Sequence, residues 1–223
     1  MSIDRIVGGV AVLLVLGINC GSAATIGMVD DFENGKTQGW IHGTVSPNPP
    51  QNIADGGPAG TGDHYLQVTS TGTFGAGSRL AALNRSQWTG DLLAAGITAI
   101  SADVTNLGNE DLNLRLAFTS NTTFTAFATT HALVVPAHTD WQAVTFDITN
   151  IGLTRVQGTG TFEATMAAVD ELRIITAQNP GLRADIVAGE LGIDNIMAMP
   201  EPASVAMLWM GLVAGGNLLR RRR

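Results

Sequence analysis

The chain has 223 residues, 45% of them hydrophobic and 14% charged, with a mean hydropathy of +0.20 and a formal net charge of −7. That length suits one ordinary domain and would leave two cramped. Seven Lys plus Arg against seventeen Asp plus Glu give residues 25–199 a charge of −10, which argues against nucleic acid as a partner, because phosphate binding needs a basic surface that releases counterions.

Arg5 and the amino terminus precede an apolar run of thirteen residues, Ile6 to Ile18, and the small residues Gly21, Ser22, Ala23 and Ala24 follow. The run is too short to span a bilayer and has the order of a secretory signal, so residues 1–24 are predicted to be a signal peptide cut by signal peptidase before Thr25. Cys20 is the only cysteine, and its flanks fit lipid attachment poorly. Cleavage after Ala24 leaves no thiol for a disulfide, a thiolate metal site or nucleophilic catalysis.

Residues 25–199 are predicted to form one exported domain. Residues 46–63, with Pro47, Pro49, Pro50 and Pro58, read as a long surface connection. Ile100, Ala102 and Val104 alternate with polar neighbours, as do Val144, Phe146 and Ile148, then Leu172 and Ile174, while Leu112, Leu114, Leu116 and Phe118 alternate with Asn113, Arg115 and Ala117. A period of two places each apolar set on one face of a sheet. Ile193 to Met199 reads as a terminal strand, Asn106 to Asn109 and Asn179 to Gly181 as turns, and Leu92–Ala95 and Thr165–Val169 as short helical turns. The predicted fold class is all-β, an antiparallel β-sandwich of the jelly-roll type.

After Met199 comes Pro200-Glu201-Pro202, then Ala203 to Leu219 without a formal charge, then Arg220, Arg221, Arg222 and Arg223. The prolines oppose continuation of a strand or helix. Arginines behind an apolar segment stay cytoplasmic, which places the acidic domain outside. Residues 200–223 are therefore predicted to be a spacer, a single hydrophobic helix and a basic tail, a transient membrane anchor.

That order of parts resembles the PEP-CTERM sorting signal of Gram-negative bacteria. The resemblance implies processing by an exosortase-like membrane enzyme and localisation to the cell envelope, cell surface or extracellular matrix of exopolysaccharide-producing cells. Over residues 29–198, Asp30-Asp31-Phe32-Glu33-Asn34-Gly35 with Trp40, Asp140-Trp141-Gln142 before Val144, and Gly192-Ile193-Asp194-Asn195-Ile196 resemble galactose-binding-like jelly rolls of carbohydrate-binding modules. Several such domains carry a structural calcium between first and last strands, and this likeness puts Glu33, Asp31 and Asp194 at the matching positions; the alternative is solvated or backbone-bonded turn acids. No cofactor is otherwise required.

A sugar platform needs exposed aromatic faces. Trp40, Tyr65 and Trp88 lie beside polar or glycine-rich sequence and are the candidate glycan contacts, whereas Trp141 and the phenylalanines of the alternating runs are expected in the core. Asp30-Asp31, Glu110-Asp111 and Asp170-Glu171 are adjacent pairs without catalytic spacing, the four histidines lack zinc spacing, and Ser78 is not in a nucleophile elbow. Asn84-Arg85-Ser86 and Asn121-Thr122-Thr123 match the N-glycosylation pattern. The expectation is a non-enzymatic exported protein of the envelope or matrix, associated with exopolysaccharide. The alternatives are a carbohydrate-binding or adhesive module and a glycan-active hydrolase with two carboxylates facing one cleft.

Overall fold

The period-two segments are strands. The computed structural model describes residues 23–43 and 45–200. In chain order the elements are β1 (Val29–Asp30), β2 (Trp40–Ile41), β3 (Gln51–Ile53), β4 (Tyr65–Thr71), β5 (Ala81–Asn84), β6 (Ala99–Asn106), β7 (Leu112–Ser120), β8 (Thr125–Thr129), β9 (Leu133–Val135), β10 (Thr139–Asp147), β11 (Leu153–Gln157), α1 (Phe162–Met166), β12 (Glu171–Thr176) and β13 (Ala188–Met199). They build two sheets, ordered β10-β6-β13-β4-β3 with β1 on β13, and β11-β8-β7-β12-β5-β2 with β9 on β7. Every pairing is antiparallel.

The inner faces meet in one core. Register sets Val144 beside Ala102, Phe146 beside Ile100 and Ile193 beside Val104 in the six-stranded sheet. Across from them, Leu172 pairs with Phe118 and Ile174 with Leu116. All of these except the half-buried Val144 are buried, and each large side chain withdrawn from water stabilises the fold by about 1.5–3 kcal/mol.

The core also holds a carboxylate. Asp30 is 3% exposed, and its Oδ2 accepts the indole N–H of both Trp40 and Trp88 at 2.7 Å, while Gln87 Nε2 donates to Oδ1 at 2.9 Å. Burial pushes the Asp30 pKa up, and the Trp88, Gln87 and Trp40 donors pull it back. This network corrects the reading of Trp40 and Trp88 as glycan contacts: each is 1% exposed, because its N–H finds a buried acceptor and its ring then packs in the core.

Several boundaries also differ from the sequence reading. β13 begins at Ala188 rather than Ile193, and Gly189 and Gly192 explain why no hydrophobic period marks its first half. A Cβ on Gly189 would sit 2.7 Å from Leu80 Cδ1, and one on Gly192 would sit 2.5 Å from Thr105 Cγ2 and 3.1 Å from Trp141. The connection over 46–63 contains the short edge strand β3. Helix α1 starts three residues before the predicted turn, where Thr161 caps it by accepting the Ala164 N–H. The turn at Leu92–Ala95 is present, closed by Ile97 N donating to Leu92 O.

Ala24 is buried and its N–H donates to Thr89 O at 3.0 Å. The predicted signal segment before residue 23, the remainder of the Pro-Glu-Pro motif from Glu201, the hydrophobic helix and Arg220 to Arg223 lie outside the described residues. Among the described residues no helix is long and apolar enough to cross a membrane.

Candidate functional site: a groove on the seven-stranded sheet

Side chains alternate across each strand, so the outer face of the seven-stranded sheet is as determined as its core face. Register places Arg173 of β12 between Leu83 of β5 and Ala117 of β7, with Ala117 in turn opposite Ala128 of β8. Of these, Leu83 and Arg173 line the groove. The loops after β4 and β12 rise as walls around it.

Two adjoining cavities result. One, of about 650 Å³, is lined by Phe74, Arg79, Leu83, Arg85, Arg173 and Arg183 among others. The second, of about 370 Å³, runs past Thr119, Asn121, Gln157 and Asp170 to Phe124. Arg85, Arg173 and Leu182 line both, so they form one groove with a size typical of small-ligand sites.

Each cavity carries one exposed aromatic ring. Phe74 is 94% exposed and Phe124 is 79% exposed, whereas the other five phenylalanines are buried. Phe124 sits at φ 52°, a left-handed conformation unusual for a bulky side chain. The turn carrying it is braced by Gly158, where a Cβ would meet the Phe124 carbonyl at 2.3 Å. Neither ring belongs to an alternating run; both follow threonine-rich turn sequence, which was the available signal for exposure.

Polar groups along the groove are largely fixed. Glu171, its side chain 5% exposed, bridges Arg85 Nε and Arg173 Nε. Arg173 Nη1 donates to Leu182 O at 2.8 Å, and Arg79 Nη1 donates to Ala184 O. Asp170 Oδ2 accepts the Asn121 N–H at 2.6 Å. The two groove carboxylates, Asp170 and Glu171, are thus engaged in structural bonds, an arrangement unlike the paired acid and base of a glycoside hydrolase. Asn84 is buried with its amide donating to Gln38 O, so only Asn121 of the two glycosylation patterns is exposed.

The six-stranded sheet's outer face receives the remaining predicted residues. Tyr65 is 7% exposed and meets Trp141 edge to face, with ring centroids 5.3 Å apart at 77°. Trp141, expected in the core, instead lies half-buried over Gly192 and donates its N–H to Gly56 O at 2.9 Å. Tyr65 therefore presents little ring surface to a sugar, and the predicted trio of Trp40, Tyr65 and Trp88 does not form a platform.

The calcium expectation meets a similar arrangement. Glu33 Oε1 accepts the His64 N–H at 2.9 Å, Asp31 Oδ1 accepts from Gln38 Nε2 at 3.2 Å, and Asp194 accepts both Asn195 N and Asn195 Nδ2. Among the described residues no group of three or more His, Cys, Asp or Glu is arranged to hold a metal ion. Glu33 and Asp31 are thus bonded within exposed turns, whereas Asp194 lies buried inside β13.

Asp194 is 1% exposed, and burial, with repulsion from Asp63, Asp103 and Glu33, pushes its pKa up to about 7. Its contribution to stability is therefore complete below the ordinary value of 3.8 and is lost as pH rises through about 7. Unfolding free energies from urea titrations between about pH 4.5 and 7.5 should fall by at most about 1.4 kcal/mol per pH unit from this group. Asp194→Asn should flatten that slope; an unchanged slope would refute the assignment.

No protein-family model matches the sequence, and no curated protein matches it. Solved structures do. An exo-β-agarase superposes with a TM-score of 0.58 at 13% identity over 79% of this chain, which spans 25% of the agarase. A family 11 carbohydrate-binding module from Clostridium thermocellum, in complex with a β-1,3-1,4-mixed-linked tetrasaccharide, superposes at 0.51 and 17% identity, covering 80% of this chain and 98% of the module. The domain shares the antiparallel β-sandwich fold of these structures. A solution structure of CtCBM11 gives 0.52 at 17% identity over 78% of this chain and 96% of that one. At these identities the likeness is one of fold, and the β-sandwich expected from the sequence is the part it supports.

Proposed function

We propose that the domain is a non-catalytic carbohydrate-binding module that holds a glycan along the groove of the seven-stranded sheet. The observation that carries this reading is the groove itself: an open trough of glycan-segment size, with one exposed phenylalanine in each of its two cavities, on a fold shared with a module solved around a tetrasaccharide. Aromatic rings bind the apolar faces of sugars, and fixed polar groups between them orient the hydroxyls. Phe74→Ala and Phe124→Ala should each weaken binding about tenfold for whichever polysaccharide scores on a glycan array, a loss of the size expected for one stacked ring. Their melting curves should match the parent, because both rings are exposed. Undiminished binding in the double variant would remove the groove from the reading.

The flanking segments supply the delivery. Export by the N-terminal signal, transient membrane anchoring and processing by an exosortase-like enzyme at Pro200-Glu201-Pro202 would place the module at the envelope of a Gram-negative cell, beside its exopolysaccharide. The ordered motif, apolar run and arginine cluster support this. Deleting residues 200–202 should retain the protein in the membrane fraction with a heavier mature mass. Equal release and an identical mass would count against processing there.

A further inference from the structure

The groove's charge is opposite to that of the domain around it. Of the seven Lys and Arg within residues 25–199, Arg79, Arg85, Arg173 and Arg183 line the larger cavity, and no Asp or Glu lines it. We infer that the groove binds an anionic polysaccharide, one bearing carboxylate or sulfate groups, rather than a neutral glucan. The inference rests on the glycan-binding reading above and names its ligand class.

Three observations support it. First, the guanidinium groups are held in place: Arg85 and Arg173 share the buried Glu171, while the carbonyls of Leu182 and Ala184 fix Arg173 and Arg79. A guanidinium fork fixed this way loses little freedom when it takes a two-oxygen anion. Second, Asp170 and Glu171, the acids that line the smaller cavity, offset two of the four arginines, so the groove keeps a surplus of two positive charges. Third, arginine offers donors and no acceptor, whereas a neutral sugar's hydroxyls need both. Arg183 is exposed and has no hydrogen bond or ion pair among the described residues, so it is available to a ligand.

Arg115 shows that this placement is not general for the chain's arginines. It is buried, and it bonds the carbonyls of Ala177, Thr129, Thr130 and Gln178. The acidic remainder of the surface repels an anionic polymer and leaves the groove as the favourable approach. The −10 charge therefore orients the encounter rather than merely opposing it.

The test is binding of the full chain to polygalacturonate, dextran sulfate, mixed-linkage β-glucan and agarose by affinity electrophoresis, in about 20 mM and about 300 mM salt, which spans weak to strong screening. We expect retardation by polygalacturonate, dextran sulfate or both, weakened about tenfold in the higher salt. Retardation by only one of them assigns the anion as carboxylate or sulfate. Arg183→Glu, an exposed substitution, should weaken binding at least about threefold by removing a cation and adding an anion, with an unchanged melting temperature. Salt-insensitive binding to the neutral polymers alone would overturn the anionic inference while leaving glycan binding intact. Binding to none of the four would overturn both, and anion binding indifferent to Arg183→Glu and Phe124→Ala would overturn the groove as its location.

Discussion

Asp30→Ala should lower the unfolding free energy by about 3 kcal/mol or more, since it leaves two buried indole N–H groups without their acceptor and the Gln87 amide with only Gln38 O. Removing a buried carboxylate also removes its desolvation cost, which acts in the opposite direction. The unpaired donors outweigh it here because Trp40 and Trp88 are each 1% exposed and water has no open route to replace the acid. Asp30→Asn should recover only part of the loss, because its amide nitrogen places a donor against donors. Urea denaturation with an unchanged slope measures both. A loss under about 1 kcal/mol for alanine, the worth of one ordinary hydrogen bond, would contradict the account of this core.

Arg115→Met should cost a comparable amount, about 3–5 kcal/mol, as expected when a buried charged partner is removed from a satisfied network. Arg115 is 4% exposed, with Nε donating to Ala177 O at 2.8 Å, Nη1 to Thr129 O at 2.6 Å and Nη2 to Gln178 O at 2.7 Å. Burial pulls its pKa down and Asp185 opposes that shift. Methionine fills similar volume but leaves these carbonyls unsatisfied. Two of them begin the loop whose Leu182 and Ala184 carbonyls position Arg173 and Arg79, so the variant should bind glycan more weakly even where it remains folded. Stability within about 1 kcal/mol of the parent would show that solvent reaches those carbonyls.

The sheets were legible in the sequence where packing needs large side chains. β6, β7, β10 and β12 each carry a period of two that the core enforces. The first half of β13 shows no such period because close approaches from Leu80, Thr105 and Trp141 require glycines. The tryptophans were misplaced for a different reason. Asp30 beside Asp31 looks like a solvated turn pair, and only the fold shows that one carboxylate turns inward to satisfy two indoles while the other remains at the surface.

The groove was hidden by distance along the chain. Arg79 and Arg85 lie about a hundred residues from Arg173 and Arg183, and it is the pairing of β5 with β12 that brings them together. Composition reports the average charge and cannot show that four of seven cations share one trough. The low aromatic content still limits the site to two exposed rings, Phe74 and Phe124, one in each cavity of the trough.

The most direct test of glycan binding in this groove is amide chemical-shift mapping on the full chain during titration with oligogalacturonate and, separately, a mixed-linkage β-glucan oligosaccharide. Binding in the groove predicts saturable shifts concentrated at Leu83, Thr119, Phe124 and Arg173. Shifts centred instead on Thr105, Trp141 and Gly192 across the six-stranded sheet, or none with either sugar, would contradict it.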